Sequence, residues 1–210
     1  MKKRIIVFDF DGTIADSKEL YVKVIHDSLV KASFIYPRSR IVRALGPKLK
    51  GTLSNLGKFD KKTLGALSKE INDWVISEAE RLKVCPHVKS SLARLKKSGK
   101  FRTILLTNSA RHFPIAFLKK NKMERYFDIV MGSEDFKDKE SALRGIAKKF
   151  NVKLKDMTYV GDKTIDYRLA RHVGTKIILP YACSWDKSLI SRRKYSKARI
   201  ASLEEIENKI

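Results

Sequence analysis

Asp9 and Asp11, two carboxylates two residues apart in Asp9-Phe10-Asp11-Gly12-Thr13, carry the clearest chemistry in this 210-residue chain. They follow the apolar run Ile5-Ile6-Val7-Phe8, which lacks polar alternation and so reads as a parallel strand covered on both faces. Side chains at i and i+2 share a face, so both acids project together at the strand's carboxyl end while Gly12 lets the chain turn away. Two like charges held there need a cation or a proton between them. The bland alternative is an Asp-Gly turn.

Three further signals fall where strands end. Leu105-Leu106-Thr107-Asn108-Ser109 closes a strand with a hydroxyl and an amide that can donate hydrogen bonds to an oxyanion, although Thr-Asn-Ser also suits a turn or helix cap. Tyr159-Val160-Gly161-Asp162 ends another strand in an acid. Asp166 follows at i+4, so both carboxylates can share a face of the next helix's first turn, where acids also complement the helix dipole. Lys139 is subtler. The stripe Ala142, Leu143, Ile146, Ala147 and Phe150 places Lys139 on the buried face of its helix, at a first turn that disfavours a cation by roughly 0.3 to 1 kcal/mol. A position disfavoured twice invites a functional reason, against the alternative that the stem snorkels to solvent. Lys137, the nearest rival, lies off the stripe.

The elements that must position these groups are legible in outline. Leu20, Val24, Ser28 and Leu29 mark a helix that Asp16 or Ser17 can cap. A segment punctuated by Tyr36-Pro37 and Leu45-Gly46-Pro47 precedes another helical stretch over 64–82, and nothing between Asp16 and Val84 reads as a strand. From Cys85-Pro86 onward helices and strands alternate, with helices over 88–97, after Pro114, over 139–150 and from about 164, and strands over 103–106, 129–131, 158–160 and 176–179. This predicts an α/β fold, a parallel sheet with helices on both faces, interrupted by a helical insertion and holding ligands at the strands' carboxyl ends.

Composition sets the frame. Hydrophobic content is 43%, no apolar run approaches 18 residues, and Lys2-Lys3-Arg4 leads straight into a short strand, so the expectation is a soluble, cytoplasmic protein without a membrane partner. Cys85 and Cys183 are far apart and match no metal spacing, which predicts reduced thiols in ordinary packing. The net charge of +23, from 46 Lys plus Arg against 23 Asp plus Glu, would attract phosphates, nucleotides or nucleic acid. The lysines are nevertheless scattered over most helices, as on a solvated basic surface. The densest acid-free stretch, 187–199, contains one aromatic, Tyr195, a weak nucleic-acid signal. His26, His87, His112 and His172 read as surface or core residues, and the sequence specifies no oligomeric state.

Taken in order, D-x-D-G-T, the strand-terminal Thr, a Lys and G-D-x-x-x-D resemble the haloacid dehalogenase superfamily, most closely its phosphoglycolate-phosphatase-like phosphatases. Arg43-Ala44-Leu45-Gly46-Pro47 looks like the substrate loop of that group's helical cap, and Ser202-Leu203-Glu204-Glu205-Ile206 resembles its closing helix. The resemblance implies a Rossmann-like core over 1–15 and 85–210 with an inserted cap over 16–84. It implies Asp9 as nucleophile, forming an aspartyl-phosphate, and Asp11 as the acid-base residue. It implies Mg²⁺ held by Asp9, the Asp11 backbone carbonyl and Asp162, with Asp166 as a ligand or supporting acid. Thr107 and Asn108 would meet the phosphoryl group, Lys139 would neutralise nucleophile and transferring group, and Arg43 would pair with an anionic part of the substrate. The implied reaction is hydrolysis of a small phosphorylated metabolite. The alternatives are a nucleotide or polynucleotide-end phosphatase and a nucleic-acid-binding protein with a vestigial phosphatase site.

Overall fold

Ile5, Ile6, Val7 and Phe8 are all buried in β1 (Arg4–Phe8), and alternate residues feed two different cores. Ile6 and Phe8 pack into one cluster and Ile5 and Val7 into the other, so the strand is covered on both faces, as its unbroken apolar run demands. The computed structural model describes residues 3–210, which leaves Lys2 of the basic lead-in outside the described residues.

Six parallel strands are described: β1, β2 (Phe101–Leu106), β3 (Ile129–Met131), β4 (Met157–Val160), β5 (Lys176–Pro180) and β6 (Arg199–Ile200). They form one sheet in the order β3-β2-β1-β4-β5-β6. The chain builds outward from β1 through β2 to β3 and then returns to the other side of β1 with β4. That reversal makes the carboxyl ends of β1 and β4 the topological switch point, where open α/β sheets hold ligands. Asp9 donates its backbone N–H to the Val160 carbonyl at 2.7 Å, locking the two strand ends together.

Helices α5 (Val88–Lys97), α6 (His112–Lys120), α7 (Lys139–Lys149), α8 (Thr164–Val173) and the short α9 (Lys187–Ile190) flank the sheet. Between β1 and β2 the chain inserts α1 (Lys18–Lys31), α2 (Arg38–Ala44), α3 (Leu49–Leu56) and α4 (Lys61–Ser77). The Pro/Gly-punctuated segment thus forms two short helices, too brief to leave a clear period in the sequence. Antiparallel bridging of Ala15 to Val84 brings the entry and exit of the insertion side by side. Among the described residues no helix is long and apolar enough to cross a membrane.

One expectation needs correction. Cys85 and Cys183 are paired in a disulfide across 98 residues, because the exit of the insertion and the loop after β5 meet in space although nothing in the sequence brings them together. Tyr195 is buried against Tyr167, ring centroids 4.9 Å apart, and belongs to a small core with Leu179 and Ile190 rather than to a binding surface. The closing segment is a 3-10 helix, Leu203–Asn208, whose Leu203 and Ile206 pack into the main core.

Candidate active site

Asp9 is the first residue beyond β1 and is almost fully buried. Its Oδ1 accepts from the Phe10 backbone N–H at 2.8 Å and its Oδ2 lies 2.8 Å from the Lys139 ammonium. Phe10 points the other way, as strand alternation requires, and anchors the turn by edge-to-face contact with Phe113 and Phe117 at 5.3 and 5.2 Å. Lys139 opens α7, where the Asp138 carboxylate accepts the Ser141 N–H and the Ser141 hydroxyl accepts the Asp138 N–H. The stripe Ala142, Leu143, Ile146 and Ala147 is buried, as the spacing predicts, and carries Lys139 inward until its side chain is 11% exposed. Lys137 remains exposed.

The Lys139 ammonium lies 2.8 Å from Asp9 and 2.8 Å from the Tyr159 hydroxyl, with Asp166 Oδ1 at 3.5 Å as a longer ion pair. Burial opposes the charge on Lys139, but the Asp9 and Asp166 carboxylates outweigh it and hold the ammonium above the usual lysine range. For Asp9 the balance runs the other way. Burial pushes its carboxyl up to about 7, with Asp166 and Asp11 adding to the rise and Lys139 opposing it. Tyr159, which the motifs did not single out, bridges Lys139 to Asp166 through its buried hydroxyl.

Asp162 follows Gly161 at the end of β4 and is completely buried. Its Oδ2 accepts the Trp185 backbone N–H at 2.6 Å, while its Oδ1 is buried with no hydrogen-bond partner. Burial, and then the neighbouring Asp166 and Asp9 carboxylates, push its carboxyl well above the ordinary range. One oxygen each from Asp9, Asp162 and Asp166 lie within 4.8 Å of one another. Three converging acids with one orphaned oxygen are a donor set for a hard divalent cation, since buried polar atoms otherwise find partners. Gly12 is what permits the approach. Its φ is +75°, and a Cβ there would stand 2.4 Å from Asp162 Oδ2 and 2.7 Å from the Trp185 ring.

Asp11 sits in a cage of hydroxyls. Its Oδ1 is 2.6 Å from Ser17 Oγ, and its Oδ2 is 2.7 Å from Ser109 Oγ and 3.2 Å from Thr107 Oγ1. Tyr21 of α1 extends the network, its hydroxyl 2.7 Å from Ser109. Burial raises the Asp11 carboxyl, and the Ser109, Ser17 and Thr107 hydroxyls oppose the rise. A carboxyl raised in this way is suited to carrying a proton. Thr107, expected to meet the phosphoryl group, turns its hydroxyl to Asp11 in this structure.

A cavity of about 50 Å³ lies over these groups, lined by Asp9, Asp11, Lys139, Asn108 and Ser109 from the sheet side. From the insertion come Tyr21, Ile25, Leu45, Gly46, Pro47, Leu49, Thr52 and Asn72. Asn108 lines the cavity and donates its side-chain amide to the Gly46 carbonyl at 2.9 Å. Arg43 does not reach it. In α2 the buried positions are Ile41 and Ala44, and Arg43 is turned outward to solvent, outside the cavity lining. The cation that does border the cavity beside Lys139 is Lys163, whose ammonium donates to the Leu45 carbonyl at 3.0 Å and lies 4.6 Å from the Trp185 ring centroid.

A family model described as haloacid dehalogenase-like hydrolase matches residues 6–179. Pyrophosphatase PpaX of Bacillus mycoides is 26% identical over 193 residues, covering 88% of this chain and 85% of the relative. Among solved structures, a Lactobacillus plantarum protein provisionally named a phosphoglycolate phosphatase superposes with a TM-score of 0.84 at 16% identity, covering all of both chains. CbbY of Rhodobacter sphaeroides, solved with phosphate, superposes with a TM-score of 0.80 at 14% identity over 97% of this chain and 96% of its own. At such identities the superpositions speak for the fold alone.

Proposed function

The chain belongs to the haloacid dehalogenase-like hydrolases, and from that premise we propose that it is a Mg²⁺-dependent phosphatase of a small phosphorylated metabolite, working through an aspartyl-phosphate on Asp9. The observation that carries the reading is the pairing of two carboxylates in different environments on one cavity: Asp9 bound to an ammonium, Asp11 held only by hydroxyls. Environments that separate two acids separate their roles. The relatives' names agree with phosphoryl chemistry.

Asp9 attacks the phosphorus, and the bond to the leaving oxygen breaks as Asp11 gives that oxygen its proton. Asp11, now ionised, takes a proton from water that attacks the same phosphorus, releasing phosphate and restoring Asp9. Lys139 offsets charge on Asp9 and on the equatorial oxygens throughout. Ser17, Thr107 and Ser109 fix the Asp11 carboxyl and stabilise its ionised form between the two steps. The orphaned Asp162 Oδ1 and the converging Asp9 and Asp166 fit Mg²⁺, which these acids would hold with the Asp11 carbonyl. When bound it would supply charge stabilisation to the phosphoryl oxygens.

The insertion, taken as a cap over 16–84 on a core of 1–15 and 85–210, covers the reacting atoms with Leu45, Pro47, Leu49 and Ile25 and excludes water. Asp11→Asn should slow an alkyl phosphate by about 10²- to 10⁴-fold and an aryl phosphate, which needs little protonation, far less. Steady-state rates on both substrates check this, and equal losses would remove Asp11 from the acid-base role.

A further inference from the structure

Lys163 stands out among the cations at the cavity because it has capacity left. Two lysines and no arginine line that space, and the other, Lys139, meets Asp9, Tyr159 and Asp166. An adjoining cavity of about 420 Å³ that also borders Asp9 adds Lys48, whose ammonium is held by the Ser133 and Phe136 carbonyls, and the exposed Lys137. Lys163 makes one hydrogen bond, to a neutral carbonyl of the loop that roofs the cavity, and forms no ion pair among the described residues. The half-buried ammonium meets one carbonyl and the face of an indole, and although its charge also acts on the neighbouring Asp162 carboxylate it hydrogen-bonds no anion, so donors remain for one. Its position follows from its place in the chain. Lys163 comes directly after Asp162, so its backbone is fixed beside the acid cluster by the Asp166 carboxylate, which accepts its N–H at 3.0 Å. Its side chain then reaches across to Leu45 and Gly46.

We propose that Lys163 is the specificity-determining residue of this site: it pairs with a second anionic group, a phosphoryl or carboxylate carried on the leaving side of the phosphoryl group that Asp9 attacks. This deepens the phosphatase reading and rests on it. The preferred substrates are then small compounds with two anionic centres a few bonds apart, such as pyrophosphate or a phosphorylated short-chain acid, in preference to neutral phosphoesters. Binding energy from this pair is realised away from the reacting bond and serves to orient it. The outward-facing Arg43 leaves no competing guanidinium in the cavity.

The test is a ratio. For wild type, Lys163→Met and Lys163→Gln, kcat/KM is measured with Mg²⁺ on pyrophosphate, phosphoglycolate and p-nitrophenyl phosphate, with thermal melts to confirm folding. Both variants should lower the ratio of dianion-bearing to aryl substrate by about 10- to 100-fold, as for loss of a hydrogen bond to a charged group. A larger fall on pyrophosphate identifies a phosphoryl partner, and a larger fall on phosphoglycolate a carboxylate. Gln retains a donor for the Leu45 carbonyl, so a ratio preserved in Gln and lost in Met would make Lys163 a positioning residue and overturn the proposal. A ratio unchanged in both would overturn it equally. If wild type hydrolysed none of the three, the phosphatase reading would fall separately. Calorimetric titration with methylenediphosphonate would then still decide the pairing, which requires weaker binding to both variants than to wild type.

Discussion

Asp9 and Asp11 differ in what surrounds them far more than in what they are. One faces an ammonium and two other acids, the other faces hydroxyls, and the sequence spacing alone made them neighbours without making them different. Lys139 was legible because a five-residue apolar stripe forced it inward. Arg43 was misleading because the Ile41 and Ala44 positions, which turn it outward, lie in a helix of seven residues. Lys139→Ala should lower kcat/KM by several orders of magnitude, since it removes the counter-charge of Asp9 and leaves buried acids uncompensated. Lys137→Ala should stay within about tenfold of wild type, because its side chain is exposed off the stripe. Kinetics on one aryl phosphate check the pair. The reverse ranking would transfer the role to Lys137.

The site depends on the ends of β1, β4 and α7 and on the loop after β5 meeting at one place. The first three announce themselves in the sequence through local pattern, an apolar run ending in acids or a helical stripe. The loop after β5 does not. Trp185 reaches Asp162 across 23 residues, Tyr21 reaches Ser109 across 88, and neither contact leaves a periodic trace. The two-residue β6 is equally silent, being too short to show alternation. Gly12 is where these elements press closest. Gly12→Ala puts a methyl into Asp162 and the Trp185 ring at a positive φ, and should destabilise the protein by roughly 1 to 3 kcal/mol while weakening Mg²⁺ binding. Denaturant melts and metal titration check it, and a variant with both properties of wild type would mean that the loop after β5 yields freely.

Across the whole molecule, the order of the motifs and the βα alternation gave a parallel sheet with a helical insertion, while the disulfide and the cavity arose only when distant segments met. Burial of acids around one point also sets how stability responds to pH. Burial pushes the Asp9 carboxyl up to about 7, and Asp162 is raised in the same direction. Between about pH 4 and 7 the folded state then binds more protons than the unfolded one, so metal-free stability falls as pH rises through that window. Lys139 stays charged throughout it and adds no slope. A cation bound by the ionised acids offsets the loss. The rise in Tm on replacing EDTA with Mg²⁺ should therefore be larger at pH 8 than at pH 5. An equal rise at both pH values would detach the metal from these carboxylates.

The central claim is that Asp9 itself attacks phosphorus. It is tested most directly by trapping the intermediate: enzyme quenched during turnover of an aryl phosphate is treated with sodium borohydride, and the peptide containing Asp9 is read by mass spectrometry. Hydride reduces an acyl phosphate to the alcohol but leaves a free carboxylate untouched, so the account predicts that Asp9 is converted to homoserine only in enzyme quenched with substrate. An Asp9 carboxylate that survives the treatment intact, while an acyl phosphate standard is reduced beside it, would contradict the covalent mechanism.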